Sequence, residues 1–270
     1  MLRMDRLGIT VSLVMLGLVL TLVVPLPSRE VRLVFLGSDL TLVFSGTGQF
    51  ALLMAALVCA GVDAILRTHP AVRRWSLVYT VTFWVLPVLL TVTSLLLLRG
   101  LVWWAYRVAL IGLAGFLLAL VIVSQYYSVD PQNPRHRPSR LILNGITYGA
   151  ALVLFVFLYG SRLRSAISAT GVAVASAMLA LELLRSHEPT PWRTWLYAGV
   201  TGLLMGEWAW ALNYAGLDPR AGGALLLLIF FAATGLAQQH LWGRLTRRVA
   251  LEFALVLVAG LVLLFLLPHS

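Results

Sequence analysis

Two charged residues lie inside long apolar stretches of this sequence, and they are its strongest candidates for chemistry. Glu207 lies in "GLLMGEWAWALNY". It is about six residues from Asn213 or from the outer end of the span, which is roughly 9 Å of helix rise. Arg107 has a similar depth in "LVWWAYRVAL". Because an ionisable residue within a membrane span is costly, it is a functional candidate by default. We predict a buried Arg107–Glu207 pair; alternatively, Arg107 extends to lipid head groups and Glu207 is neutral and hydrogen-bonded.

A second set of polar residues lies near the other ends of the apolar stretches. If the helices converge, these residues form an inner polar layer. Such a layer lines a vestibule, binds a lipid head group, or bonds helices to one another, which is the commonest role. The candidates are Asp63, Gln125, Asn144, Glu182, Gln238, Gln239, His240 and Glu252. Asp63, Glu182 and Glu252 each have an arginine at helical spacing, so a purely structural pairing is the alternative for them.

The sequence contains no recognisable catalytic motif or metal-ligand motif. His240 has no second histidine three or four residues away, and there is no HExxH, GxSxG or glycine-rich phosphate loop. The single cysteine, Cys59, excludes an internal disulfide and a cysteine metal cluster. We therefore predict no metal and no cofactor.

The composition predicts a protein embedded in a lipid bilayer. Hydrophobic residues make up 60% of the chain and charged residues only 11%, too few to cover a water-facing surface. The net charge is +10, and all 20 basic residues are arginines, most of them in short connections. That distribution is typical of contact with anionic lipid head groups. Nucleic acid is not an expected partner, because no soluble basic domain presents a groove-reading element.

The apolar stretches predict an all-α polytopic transmembrane helix bundle. A helix needs about 20 mainly apolar residues to cross a bilayer. The predicted spans are nine, at 7–26, 49–67, 76–98, 101–126, 141–159, 165–185, 194–213, 222–241 and 249–267. The whole chain, 1–270, is expected to form one membrane domain. A polar loop at 128–140 separates two possible halves, 1–127 and 141–270.

Arginine counts predict the orientation. With the N-terminus inside, thirteen arginines lie on the cytoplasmic side and seven on the other side. This asymmetry favours a cytoplasmic N-terminus and an external C-terminus in the plasma (inner) membrane. The prediction depends on the short turns at 99–100 and 160–164 being true span boundaries.

The segment "REVRLVFLGSDLTLVFSG", from Arg29 to Gly46, alternates as a strand does. We predict a small β-hairpin between the first two spans, with Gly37–Ser38 as its two-residue turn; a short interfacial helix is the alternative. The hairpin serves as a structural plug, as a lid, or, through Val31–Ser45, as a docking edge for another membrane protein. The predicted cross-strand pairs are Phe35–Leu40, Leu33–Leu42, Val31–Phe44, Arg32–Val43, Val34–Thr41 and Leu36–Asp39.

Two short segments share a pattern at a distance of 118 residues. "ILRTHP" ends the second predicted span and "LLRSHEP" ends the sixth, and an acid precedes each arginine by about one turn. The match suggests a parallel internal duplication of four spans; coincidence of helix-end chemistry is the alternative.

Glycines and small residues predict close helix contacts. Gly145 with Gly149, and Gly202 with Gly206, each form a GxxxG pattern. The sixth predicted span is rich in small residues all round, which suits a helix with neighbours on every side.

The stretches "GVDAILRTHP", "FWVLP" and "WALNYAGLDPRAGGALLLLIFF" resemble an uncharacterised family of bacterial multi-pass membrane proteins. The resemblance implies a membrane component and supplies no catalytic residues.

Three functions fit these observations. The leading hypothesis is a non-enzymatic accessory or scaffold subunit of a larger membrane assembly. The second is a transporter of small solutes or lipids that uses Arg107 and Glu207. The third is an intramembrane lipid-modifying enzyme with Glu207 or His240 as acid or base.

Overall fold

A computed structural model describes the backbone of residues 4–24, 27, 29–35, 38–44, 46–70, 72, 77–161, 165–185 and 191–266. These residues form nine helices and two strands. In chain order they are α1 (Met4–Val23), β1 (Arg29–Phe35), β2 (Ser38–Phe44), α2 (Gly46–Leu66), α3 (Leu77–Gly100), α4 (Trp104–Tyr127), α5 (His136–Gly160), α6 (Ser165–Leu184), α7 (Pro191–Asn213), α8 (Pro219–Leu241) and α9 (Arg247–Leu266).

The chain folds into two compact units. Unit 1 consists of Met1–Ser76 and Pro87–Ile142, and unit 2 consists of Leu77–Leu86 and Leu143–Ser270. The helices α3 and α5 are therefore each divided between the two units: one part of the helix belongs to unit 1 and the other part to unit 2.

Unit 1 is organised around α1, which packs against α2 and α4. Apolar side chains from α1 to α4 form its core; they are Leu18, Phe50, Leu95, Leu98 and Ile111. Small residues let these helices approach: Gly61 of α2 lies against the side chain of Thr10, and Gly115 of α4 lies against Met15.

Unit 2 contains a close antiparallel pair, α6 and α7. A Cβ on Gly202 would lie 2.6 Å from the carbonyl oxygen of Ala173, and a Cβ on Gly206 would lie 2.9 Å from the Ala173 Cβ. The predicted contact at this GxxxG is therefore confirmed. The one at Gly145 and Gly149 is wrong, since a Cβ there meets no described neighbour within 4 Å.

The helix α8 joins the rest of unit 2 through hydrogen bonds and small residues. It begins after Asp218, whose carboxylate accepts a hydrogen bond from the Arg220 amide. The hydroxyls of Tyr148 on α5 and Thr234 on α8 lie 3.1 Å apart. In addition, Gly235 lies against Phe253 of α9.

The predicted fold class needs correction in its number of spans. Among the described residues, seven helices are long and apolar enough to cross a membrane, which is typical of a membrane protein; α7 and α9 are not among the seven. For α7 the physical reason is its content of glycine, threonine and tryptophan, together with Glu207. For α9, part of the predicted span 249–267 lies outside the residues whose side chains are described, so that span stays a prediction.

The predicted hairpin also needs correction. The strands β1 and β2 pair antiparallel, but Leu33 lies opposite Leu40 instead of Leu42, and Phe35 lies opposite Ser38. None of the predicted pairs forms. The two registers differ by two residues, and both fit a two-residue alternation in the sequence, so the pattern of apolar residues cannot tell them apart.

Candidate functional site

A buried ion pair lies at the C-terminal end of α6. Arg185 follows the last helical residue, and its amide donates a hydrogen bond to the carbonyl of Leu181. Its Nη2 donates to Glu182 Oε1 over 2.7 Å, since a spacing of three residues places both side chains on one helix face. Arg185 is only 3% exposed and Glu182 only 1%. Both charges have therefore been removed from solvent, and the pair compensates each of them.

An aromatic ring from α3 covers the guanidinium of Arg185. Its Cζ lies 3.6 Å from the centroid of the Phe83 ring, which is itself buried. An arginine at this distance is attracted to the negative face of the ring, more strongly once both are desolvated. From α8, Gln238 Nε2 donates a long bond of 3.4 Å to the Leu183 carbonyl. The ring from α3 thus covers the ion pair, and α8 contacts the same end of α6 at Leu183.

One donor of this site lacks a hydrogen bond. Arg185 Nη1 is inaccessible to solvent and has no acceptor among the described residues. Other buried groups of unit 2 also lack a partner among the described residues, among them the Ser176 hydroxyl and the Trp84 indole nitrogen, but these are uncharged. An unsatisfied buried donor costs about 1–3 kcal/mol, and more when it is charged. Arg185 Nη1 is thus a charged, buried donor without an acceptor among the described residues.

The corresponding end of α2 in unit 1 differs in exposure. Arg67 donates to Asp63 four residues earlier, and the Arg67 side chain is 53% exposed against 23% for Asp63. The hydrogen bond to Asp63 raises the pKa of Arg67, which is charged in any case. From α1, Arg6 Nη1 donates to the Ala64 carbonyl over 2.9 Å. This end of α2 is a partly solvated helix end whose arginine remains open to water.

His69 follows the same end of α2 and contacts α4. Its ring meets that of Tyr126 edge-on, with centroids 5.1 Å apart. Burial lowers the pKa of His69, and the negative charge of Asp130 partly opposes that change. His69 is therefore harder to protonate than a histidine in water.

The other residues of the predicted inner polar layer occupy varied environments. Gln125 is completely buried, Asn144 and Gln239 are half-buried, and His240 is exposed with its ring 5.6 Å from that of Tyr197. Glu252 lies 3.4 Å from Arg248, and both are exposed. The pairing of each acid with an arginine of its own helix end is confirmed for Asp63, Glu182 and Glu252. Convergence of the whole layer stays a prediction.

The two residues of the predicted deep pair belong to different units. Arg107 lies in unit 1, is half-buried, and donates from Nε to the Leu101 carbonyl over 2.8 Å. Glu207 lies in unit 2 and is exposed on α7. The Arg107–Glu207 pair stays a prediction.

No metal site is evident in the part of the chain that the structure describes, where no three His, Cys, Asp or Glu residues come together.

Comparison with known protein families gives one match. The model of a family described as protein of unknown function (DUF5656) matches residues 26–267, nearly the whole chain. The chain belongs to the DUF5656 family. No curated protein and no solved structure matches it. The resemblance to an uncharacterised family is thereby confirmed, and membership carries no statement of activity.

For this DUF5656 protein, the helical spacing of Glu182 and Arg185 predicted their pairing, and the structure confirms it. The contact of Arg185 with Phe83 was not predicted. Nothing in the sequence links either residue to Phe83, about 100 positions earlier, because that contact arises from the packing of α3 against α6.

Proposed function

We propose that this DUF5656 protein is a multi-pass integral protein of the plasma membrane and a non-enzymatic subunit of a larger membrane assembly. We further propose that the outer face of α7 contacts the partner. The observation that carries this proposal is an exposed carboxylate, Glu207, in the middle of an otherwise apolar helix face. The transporter and lipid-modifying enzyme of the sequence analysis remain alternatives without such support.

The outer face of α7 consists of exposed residues at helical spacing. Its members are Leu196, Val200, Leu203, Leu204, Glu207, Trp210 and Tyr214. The opposite side of the helix is buried, and there Thr194, Ala198, Met205 and Ala209 are at most 3% exposed. The outer face is thus a continuous stripe whose single charge is central.

A bilayer that surrounds α6 also surrounds α7. The two helices pack lengthwise, and α6 is among the seven helices that are apolar and long enough to span a membrane. Lipid contact at Glu207 would leave a carboxylate in hydrocarbon at a cost of several kcal/mol. A partner helix removes that cost if one of its side chains donates a hydrogen bond to Glu207 or places a positive charge beside it.

Charge favours a different protein over a second copy as the partner. In a two-fold contact between α7 helices, each copy would bring its own Glu207 towards the other, and like charges repel. The expected partner is therefore a membrane helix with an arginine, lysine or amide side chain at the depth of Glu207, packed against small or branched side chains.

Site-specific cross-linking in native membranes tests the proposal. A Cys59→Ser background removes the only native thiol, and Leu203→Cys then carries a thiol-linked photo-cross-linker on the outer face. Val174→Cys on α6 is the matched control, since these positions are 69% and 54% exposed. We expect one adduct of defined mass from position 203 and none from position 174, with loss of the adduct when Glu207→Leu is added.

Two outcomes contradict this function. Adducts of equal yield from positions 203 and 174 would indicate non-specific lipid or protein contact. An adduct of twice the mass of the chain would make the face a contact between copies instead of a site for another subunit.

A further inference from the structure

We propose that Arg185, Glu182 and Phe83 form a phosphate-binding site, in which Arg185 Nη1 donates to a phosphate oxygen of a lipid head group or of free phosphate. The site lies within unit 2 at the end of α6, away from the outer face of α7, and it does not depend on the proposed subunit function.

The first argument is the number of donors. A guanidinium has five N–H groups and is always charged in proteins. At the end of α6, Glu182 accepts from Nη2, whereas Nη1 has no acceptor and no access to solvent. A ligand oxygen at Nη1 supplies the missing hydrogen bond.

The second argument is the fixed geometry of the guanidinium. The Phe83 ring centroid lies 3.6 Å from Arg185 Cζ, and Glu182 Oε1 lies 2.7 Å from Nη2. These two contacts fix the plane and the direction of the guanidinium before a ligand binds. A guanidinium fixed in this way presents Nη1 in one direction, which suits one charged phosphate oxygen. Bonds between two charged partners are roughly twice as strong as neutral ones, which favours phosphate over water.

The third argument is depth. The helix α6 has 20 residues, which corresponds to about 30 Å, the thickness of the hydrocarbon core. A residue directly after such a helix lies at the level of the lipid head groups. Phosphate oxygens are abundant at this level.

Access to Nη1 requires a local movement. Gln238 Nε2 donates to the Leu183 carbonyl over 3.4 Å, longer than the usual 2.7–3.2 Å, so this bond between α8 and the end of α6 is weak. In this proposal, a movement at this contact between α8 and the end of α6 is the opening that admits the phosphate.

Retention of lipid by the purified full-length chain tests the site. Protein in mixed micelles with dioleoyl-phosphatidylglycerol is measured by native mass spectrometry, and a second series contains inorganic phosphate alone. R185K keeps the charge but loses the planar fork, and R67K makes the same change at the exposed end of α2. We expect one tightly retained phosphate ligand in the wild type and in R67K, and about tenfold or weaker retention in R185K.

The two series distinguish the sources of the phosphate. Retained lipid that inorganic phosphate does not displace identifies a head-group site, and binding of inorganic phosphate alone identifies a free anion; either supports the proposal. Because R185K also changes one partner of the buried ion pair, a second variant, R185M/E182L, removes both charges together; it should remain folded without retaining phosphate. Wild-type retention by that double variant, equal losses in R185K and R67K, or binding of neither probe by the wild type overturns the proposal.

Discussion

The ends of α2 and α6 carry the same pattern of residues in two different environments. At the end of α2, Asp63 and Arg67 pair in contact with solvent. At the end of α6, Glu182 and Arg185 pair with almost no exposure, beneath the ring of Phe83. The same chemistry therefore forms a solvated helix end in unit 1 and a buried charged site in unit 2.

The difference shows that burial, more than sequence pattern, gives an ion pair its energetic weight. Solvent-exposed pairs contribute about 0–1 kcal/mol, because water and salt screen them. In a buried pair, removal of one partner costs about 3–5 kcal/mol, because the other charge is left uncompensated. Whether the two segments arose by duplication stays a prediction, and the energetic contrast holds in either case.

The largest expected effect is the difference in stability between two variants, each of which neutralises one of the two acids. Glu182→Gln leaves Arg185 buried without a counter-charge and should lower the free energy of unfolding by about 3–5 kcal/mol. Asp63→Asn should lower it by less than about 1 kcal/mol. Denaturant titration of both variants in mixed micelles, followed by tryptophan fluorescence, measures the two differences.

A double variant controls for effects of size and polarity. R185M/E182L replaces the buried pair by apolar side chains and should be much closer to the wild type in stability than Glu182→Gln alone. Equal losses for Glu182→Gln and Asp63→Asn would contradict the energetic contrast between the two ends.

The next largest effect concerns the aromatic ring in unit 2. Phe83→Leu keeps an apolar side chain beside Arg185 but removes the face of the ring, and it should lower the free energy of unfolding by about 2 kcal/mol. In the R185M/E182L background the same change should cost clearly less, because no cation is left to attract the ring. The four unfolding free energies form a double-mutant cycle, and a coupling energy of zero would show that the contact is only steric.

Much of the fold was predictable, because an apolar run of about 20 residues reports a helix directly. A helix lies at each of the nine predicted stretches, within a few residues of the predicted bounds. The register of β1 with β2 was not predictable, since registers two residues apart fit the same alternation of apolar residues in the sequence. The helix α7 is not among the seven apolar helices, because its glycines, tryptophans and Glu207 lower its mean hydropathy, and the predicted count of nine spans did not allow for them.

The site was predictable only in part. Local spacing correctly gave the partner of Glu182, because residues three apart share a helix face. That pair is covered by Phe83, which comes from α3, and Gln238 of α8 reaches the neighbouring Leu183. Such contacts are decided by tertiary packing, and a single sequence carries no local signal for them. For the same reason, the apolar residues around Glu207 in the sequence did not indicate that this side chain is exposed on α7.

The end of α2 should make stability depend on pH through His69. Because burial lowers the pKa of His69, the unfolded chain binds a proton more readily than the folded chain. Stability should therefore decrease as the pH falls through about 6.5, the value for an unperturbed histidine, towards the lower pKa of the folded state. His69→Gln should reduce this decrease; an unchanged pH profile in that variant would assign the dependence to another group.

The smallest effect is a difference in salt dependence. At 1 M salt the Debye length falls to about 3 Å, so an exposed pair is screened while a buried pair is largely protected. The small destabilisation by Asp63→Asn should therefore disappear as the sodium chloride concentration rises from roughly 0.05 to 1 M. The destabilisation by Glu182→Gln should persist over the same range. Unfolding titrations of both variants and the wild type at each salt concentration measure this. A loss of the Glu182→Gln effect at high salt would mean that ions reach Arg185, and the end of α6 would then be a solvated helix end like that of α2.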